Sequence, residues 1–164
     1  MIEELKGKKM KKIFVILLLC SSWLFGEEGV HKVVYDLTTA NVAQFEKNIL
    51  KGVVMNKTHY ENNLQELEVS VVIHGGAYRF FVKDLQTSIF KDDKTLQKVF
   101  ASLQKRIASL ADTYDVEFLM CGAAMPRNKL TKKDIVEFVT IVPNSTIGLI
   151  DKQNEGYAYI PVRD

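Results

Sequence analysis

The stretch "TLQKVFASLQKRIASLADTYDVEFLMC", residues 95–121, joins a predicted helix directly to a predicted strand. Up to residue 114 its apolar side chains recur at spacings of three and four, which is typical of a helix that packs one face against a sheet. These residues are Leu96, Val99, Phe100, Leu103, Ile107, Leu110 and Tyr114. Asp92 and Asp93 stand before the helix as N-terminal caps. "VEFLMC" (116–121) is a short, nearly continuous apolar run and predicts a buried strand.

The same alternation of helix and strand extends over the rest of the chain. Strands are predicted at residues 31–37, 67–77, 116–121, 140–143 and 157–161, and helices at residues 42–53, 78–85, 95–114, 131–138 and 145–154. Asn41 with Gln44, and Thr131 with Asp134, have the spacing of capping boxes, Ser145 is the expected cap of the last helix, and Gly156 is placed to end that helix. The predicted fold is therefore a three-layer α/β domain, with a mainly parallel sheet of about five strands and helices on both faces. Pro161 places the last strand at an edge of the sheet.

The first 26 residues have the order of a secretory signal. Five lysines precede the apolar run "IFVILLLC" (13–20), and "SSWLFG" (21–26) follows it. From Ile13 to Gly26 the segment has 14 residues, fewer than the roughly 18 to 20 that cross a bilayer as a helix. We therefore expect a cleaved signal peptide at residues 1–26, a domain at residues 27–164, a periplasmic or secreted location and no stable membrane insertion after cleavage. Met10 is an alternative start, and Leu19 disfavours lipidation of Cys20.

Cleavage changes both the charge and the cysteine content. Removing five of the 22 basic and two of the 20 acidic residues leaves a net charge of −1. Such a surface does not attract nucleic acid, so we expect no nucleic-acid partner. Cys121 is then the single cysteine of an exported chain, without an intramolecular disulfide partner.

Polar or reactive side chains follow the first three predicted strands, at the edge where open α/β sheets bind ligands. Asp36 and Thr38 end the first strand, His74 with Gly75 and Gly76 ends the second, and Cys121 ends the third. Gly122 and Ala123 after the cysteine allow backbone N–H groups to approach a thiolate, and a nearby imidazole favours that ionised form. The candidate catalytic residues are Cys121 and His74. The candidate binding residues are Thr38, Gly75, Gly76, Gly122 and Ala123.

Simpler roles are open for each of these residues. A free cysteine at the end of an apolar strand often only packs in the core. His74 can hydrogen-bond a loop carbonyl, and Thr38 lies where hydroxyls cap helices. One cysteine and one histidine without further ligands are too few for a structural metal site. We therefore expect no metal. The chain carries no G-x-G-x-x-G or G-x-S-x-G pattern, so we also expect no dinucleotide or flavin cofactor and no serine hydrolase site.

Three segments, in this order, resemble the DsrE-like proteins. They are "HGGA" (74–77), "VEFLMCGAAM" (116–125) and "VTIVPNSTIGLIDKQNEGYAYIPV" (139–162), and the likeness extends over residues 31–162. The resemblance implies the three-layer α/β fold and assembly into homotrimers or homohexamers. It also implies that Cys121 matches the cysteine that carries sulfur as a persulfide in sulfur-relay members, and that His74 matches a frequent His-Gly pair.

Two functions are therefore expected from the sequence. The first is an exported sulfur carrier or sulfur transferase that exchanges sulfane sulfur with donor and acceptor proteins or small sulfur compounds through Cys121. The second is a non-catalytic oligomeric binding module in which Cys121 is structural. Ala123 and Ala124 stand where many relatives have Asn and Thr, so polar groups that steady a substrate in those relatives are missing here.

Overall fold

The computed structural model describes residues 30–164, and it contains the parallel sheet that the sequence predicts. All four strand pairings are parallel, in the order β4-β3-β2-β1-β5. The strands are β1 (His31–Leu37), β2 (Leu67–Ile73), β3 (Val116–Cys121), β4 (Val139–Val142) and β5 (Ala158–Val162). The predicted α/β class is confirmed, and β5 lies at an edge as Pro161 indicates. The predicted signal peptide at residues 1–26 lies outside the described residues.

Three helices cover the two faces of this sheet unequally. α1 begins as an α-helix at Val42–Phe45, continues as a π-helix over Glu46–Lys51 and returns to α-helix over Gly52–Asn62; α2 is Lys94–Asp112 and α3 is Ser145–Asn154. The apolar faces of α1 and α2 join the main core on one side of the sheet. Among the helices of residues 30–164, only α3 covers the other side, where Val34, Val72 and Leu119 form a small separate cluster. The amino end of α3 lies close to Cys121, at the carboxyl end of β3.

Helix starts follow local capping chemistry. Asp93 accepts hydrogen bonds from the N–H groups of Thr95 and Leu96 at 3.1 and 3.0 Å, which fixes the start of α2. Asn144, and not Ser145, caps α3, because the Asn144 side chain accepts from the Ile147 N–H at 2.9 Å. This leaves the Ser145 hydroxyl free for another contact.

Two predicted helices are replaced by shorter turns. The prediction of a helix over 131–138 is wrong beyond its capping box: Thr131 and Asp134 form the box, but the 3₁₀ turn covers only Lys132–Asp134. Ile135 instead makes an antiparallel bridge with Val82, and this pairing holds the chain extended. Residues 78–85 likewise do not form the predicted helix, and a 3₁₀ helix covers Gly75–Phe80.

Within residues 30–164, no helix combines the length and the apolar character that crossing a membrane would require.

Candidate active site

Three chemically active side chains form a row at the carboxyl end of the sheet. Asp36, His74 and Cys121 each lie two residues beyond a member of the small cluster Val34, Val72 and Leu119. Side chains two residues apart on a strand share a face, so all three lie on the face that α3 covers. The register pairs Ile73 with Met120, and His74 and Cys121 are the next residues of these two neighbouring strands. The convergence expected from the sequence is therefore present in the backbone.

Polar groups surround the Cys121 thiol although it is largely buried. The residue exposes 5% of its surface. The Ala124 N–H and the N–H and hydroxyl of Ser145 are near enough to the sulfur to lower the pKa of the thiol, which places it near the first turn of α3. The Tyr78 hydroxyl donates to the Cys121 carbonyl oxygen at 2.5 Å and also contacts the thiol. Cys121 also belongs to the main hydrophobic cluster, so its sulfur has both polar and apolar neighbours.

These donors decide the ionisation of Cys121. Burial alone raises the pKa of the thiol, because a buried thiolate loses its hydration. Hydrogen bonds from the Ala124 N–H, the Tyr78 hydroxyl and Ser145 outweigh burial, and the net effect is a pKa below the ordinary thiol value. The arrangement favours a thiolate, the nucleophilic form of cysteine.

His74 belongs to a network centred on Asp36. The His74 Nε2 lies 2.5 Å from one carboxylate oxygen of Asp36. The other oxygen accepts from the Tyr159 hydroxyl at 2.5 Å and from Arg163 at 3.2 Å. Arg163 also donates to the Tyr159 hydroxyl oxygen at 2.8 Å. Asp36 is 4% exposed, so this buried carboxylate is fully surrounded by donors.

The network keeps Asp36 ionised. Burial raises the pKa of this carboxyl group, but the hydrogen bonds from Tyr159, His74 and Arg163 outweigh burial and lower the pKa below its ordinary value. A buried aspartate that stays charged can hold an imidazole in one orientation.

The predicted binding glycines bring loops close together. Gly75 has a φ of +59°, and a Cβ at Gly76 would lie 2.7 Å from the Cβ of Ala40. The Gly76 N–H donates to the Thr38 carbonyl at 2.9 Å, so the loop after β2 packs directly on the loop after β1. A Cβ at Gly122 would lie 3.0 Å from Ile141 and from the Val142 carbonyl. Each glycine has a packing reason in the fold itself.

Two further predicted binding groups already have partners within the chain. The Ala123 N–H donates to the Pro143 carbonyl at 3.1 Å, so Ala124 provides the backbone donor to the thiol. The Thr38 hydroxyl donates to the Val162 carbonyl at 3.3 Å. Their assignment to substrate binding stays a prediction.

Sequence reasoning missed four residues that shape the site: Tyr78, Ser145, Tyr159 and Arg163. Ser145 was interpreted as a helix cap, and its position after Pro143 at a helix start was the available signal. Tyr159 and Arg163 reach Asp36 only because β5 pairs with β1, with Tyr159 opposite Val34. That pairing is a property of topology that local patterns do not report.

Within residues 30–164, no three His, Cys, Asp or Glu side chains converge as a metal site would require.

Comparisons with known proteins agree with the fold and the order of these elements. A family model described as the DsrE/DsrF-like family matches residues 32–162. An uncharacterized protein of Aquifex aeolicus (strain VF5) is 28% identical over 165 aligned positions, which cover 96% of this chain and 67% of that protein. A solved structure of a protein of unknown function from Methanobacterium thermoautotrophicum has a TM-score of 0.56 at 18% identity, and the match covers 80% of this chain and 98% of that one. This last likeness concerns the fold alone.

Proposed function

Because the chain belongs to the DsrE/DsrF-like family, we propose that it is a sulfur-relay protein in which Cys121 carries sulfane sulfur as a persulfide. Membership of the family supports a sulfur-relay type of function. The observation that carries the finer proposal is the set of donors around the Cys121 sulfur, contributed by Ala124 and Ser145. A thiol that only fills a core has no need of hydrogen bonds that favour its ionised form.

Loading is a nucleophilic exchange at sulfur. The Cys121 thiolate attacks the outer sulfur of thiosulfate, a new S–S bond forms, the S–S bond of thiosulfate breaks, and sulfite leaves with the bonding electron pair. An inorganic polysulfide reacts in the same way and leaves one sulfur shorter. No external oxidant or reductant enters either reaction, because the sulfane sulfur already has the oxidation state that the persulfide keeps.

Discharge returns the thiolate. An acceptor thiol loses its proton and attacks the outer sulfur of the Cys121 persulfide, and the bond between the two sulfur atoms of the carrier breaks. The electron pair stays on the Cys121 sulfur, where the Ala124 N–H and Ser145 stabilise the negative charge. The same donors therefore promote attack during loading and departure during discharge.

Access to the sulfur favours small reactants. With 5% of Cys121 exposed, the opening admits a small anion or a slender terminal thiol more readily than a disulfide held in a protein surface. We therefore assign the loading step to small sulfane-sulfur compounds and the discharge step to a thiol on a flexible segment or a small molecule.

Intact-mass measurement tests the proposal. The folded protein, incubated with polysulfide or thiosulfate and desalted, is expected to gain the mass of one sulfur atom, and fragmentation is expected to place it on Cys121. The matched control is Cys121→Ser, which should gain nothing. An unchanged mass in the native protein, with Cys121 also inert to alkylation, would contradict the proposal.

The second function expected from the sequence is a non-catalytic binding module, and the burial of Cys121 favours it. The two functions predict different results when Cys121→Ser is expressed in a strain that lacks the natural protein. A carrier loses all activity in Cys121→Ser, whereas a module with a packed cysteine keeps it. Complementation of the deletion by this variant therefore separates them.

We also propose that the chain assembles into homotrimers or homohexamers. β5 supports this, because residues 158–161 are exposed although they have the sequence Ala-Tyr-Ile-Pro. Tyr159 and Ile160 remain 39% and 40% exposed, and Ile147 and Ile150 of α3 are exposed as well. Apolar residues gathered on an edge strand are typical of surfaces that another chain covers.

Export is the remaining part of the proposal. It is supported by the lysines and the apolar run of residues 1–26. Cell fractionation with N-terminal sequencing of the mature protein tests it: a new N-terminus near residue 27 in the exported fraction is expected, and an intact N-terminus in the cytoplasm would contradict export.

A further inference from the structure

We infer that Asp36 is the positioning residue that orients His74 to take the proton of the acceptor thiol during discharge. The inference rests on the proposed persulfide function and deepens it. In this inference the Asp36 carboxylate orients the His74 imidazole, and the imidazole serves the reaction at the Cys121 sulfur. The three groups are contributed by the adjacent strands β1, β2 and β3.

The backbone fixes the face of the sheet on which the His74 side chain lies. The His74 N–H donates to the Leu37 carbonyl at 3.0 Å, which continues the parallel pairing of β2 with β1 by one residue. His74 itself is extended, with φ −157° and ψ −168°. Its side chain therefore keeps the alternation of β2 and stays on the face that contains Asp36 and Cys121.

Asp36 fixes the orientation and the tautomer of the ring. The Nε2 of His74 lies 2.5 Å from the Asp36 carboxylate, and an ionised carboxylate can only accept hydrogen bonds. The neutral imidazole therefore has its proton on Nε2, and the lone pair remains on Nδ1. Nδ1 is then the nitrogen that can receive a proton.

The carboxylate itself cannot turn away. Tyr159 and Arg163 hold its second oxygen at 2.5 and 3.2 Å, and the side chain of Asp36 is 5% exposed. Buried hydrogen-bonded groups of this kind are costly to rearrange. The network thus presents His74 in one geometry before any substrate arrives.

The proton transfer balances the discharge step. The acceptor thiol gives its proton to the Nδ1 of His74 as its sulfur bonds to the outer sulfur of the Cys121 persulfide. The products are the acceptor persulfide, the Cys121 thiolate and the imidazolium of His74, which Asp36 stabilises until the proton passes to water. Loading from thiosulfate or polysulfide involves no acceptor thiol, and the attacking sulfur is that of Cys121, whose pKa is lowered by its own neighbours.

The two half-reactions give the test. Protein loaded with polysulfide is discharged into N-acetylcysteine, and both half-reactions are followed by intact mass for the unmodified protein, Asp36→Asn and Asp151→Asn. Asp36→Asn is expected to slow discharge at pH 7 by on the order of 100-fold and to leave loading within about threefold. Asp151→Asn makes the same change at an exposed carboxylate of α3 and should change neither rate by more than about threefold.

The pH dependence separates positioning from a structural defect. N-acetylcysteine is a free thiol with a pKa of about 8.5, so above that pH it attacks as a thiolate and needs no base. The deficit of Asp36→Asn should therefore shrink as the pH rises past about 9, whereas a structural defect slows discharge at every pH. Nitrogen-15 NMR of His74 should show the Nε2–H tautomer in the unmodified protein and its loss in Asp36→Asn.

Each outcome has a distinct meaning. Failure of the unmodified protein to load sulfur overturns the proposed function and this inference together. Normal loading followed by discharge that is equally fast in Asp36→Asn, or equally slowed in Asp151→Asn, overturns only the inference. A deficit in Asp36→Asn that persists unchanged at high pH also contradicts it.

Discussion

The thiol of Cys121 receives its hydrogen bonds from Ala124, in the turn that follows it, and from Ser145, which lies beyond the whole of β4. The glycine and alanines after Cys121 correctly indicated a close backbone donor. The contribution of Ser145 could not be predicted, because it requires α3 to begin beside β3. At the scale of single residues, the sequence indicated the candidate cysteine, but only the fold shows which groups lower its pKa.

Ser145→Ala tests that contribution. Loss of the hydroxyl donor should raise the pKa of the Cys121 thiol and slow its alkylation at neutral pH by roughly two- to fivefold, as expected for one hydrogen bond of about 1 kcal/mol. The ultraviolet absorbance of the thiolate as a function of pH measures the pKa. Thr146→Ala, an exposed neighbour on the same helix turn, is the control and should leave the pKa unchanged. An unchanged pKa in Ser145→Ala would show that the hydroxyl has no part in ionisation.

Asp36 makes stability depend on acidity. Its pKa is lower in the folded protein than its ordinary value of 3.8, so its stabilising effect is complete above that value and is lost as the pH falls through the lowered pKa. We expect Asp36→Asn to reduce the free energy of unfolding by about 2 kcal/mol near pH 7. The difference from the unmodified protein should be smaller at about pH 2.5 than at pH 7, because protonation of Asp36 becomes more complete as the pH falls through the lowered pKa.

Urea unfolding at both pH values measures this difference. Asp151→Asn, which removes an exposed carboxylate on α3, is the control and should change stability by no more than about 0.5 kcal/mol at either pH. A loss in Asp36→Asn that is the same at both pH values would contradict the role of the charge.

At the scale of elements, segments with their own periodicity and caps were predicted well. β1 and β3 have the bounds that the sequence indicated, and α3 covers Ser145–Asn154 as expected. The segment after Thr131 was predicted poorly, because its conformation depends on pairing with a distant segment. The Val136 N–H donates to the Phe81 carbonyl and the Lys83 N–H to the Asp134 carbonyl, and these bonds compete with helix formation over 131–138.

Two glycines test where close packing is needed. A Cβ at Gly76 would meet Ala40 at 2.7 Å, including backbone atoms at 3.0 Å, so Gly76→Ala should destabilise the protein by about 1–3 kcal/mol. A Cβ at Gly148 within α3 would make ordinary contacts of 3.4 Å and more with Val142 and Val72. Gly148→Ala should therefore stabilise by about 0.5–1 kcal/mol, because alanine favours helix. Urea unfolding compares the two, and a tolerated Gly76→Ala would contradict the packing of the two loops.

At the scale of the whole molecule, the order of the strands creates features that no single segment encodes. The alternation of helices and strands along the chain predicted a parallel sheet, but the place of β5 beside β1 follows from topology. That place brings Tyr159 and Arg163 to Asp36 and leaves the outer side of β5 open. The network around Asp36 and the exposed apolar edge thus both follow from the position of β5 beside β1.

The prediction about assembly depends on the exposed apolar residues of the edge strand β5. Ile160→Glu adds a charge to the open strand and should shift the protein from an oligomer to a monomer, since burying an unpaired carboxylate is costly. Size-exclusion chromatography with light scattering measures the mass. Leu64→Glu is the matched control, because Leu64 is 91% exposed in the loop between α1 and β2 and should not alter the oligomer. A monomeric unmodified protein would contradict the proposed assembly.

The most direct test of the account is the alkylation of Cys121 in the native protein as a function of pH. The account predicts complete modification by a small reagent without unfolding, with a rate that reaches its plateau at a pH below that of a free cysteine, whose pKa is about 8.5. Modification that occurs only in denaturant would contradict it, because the sulfur would then be closed to any donor.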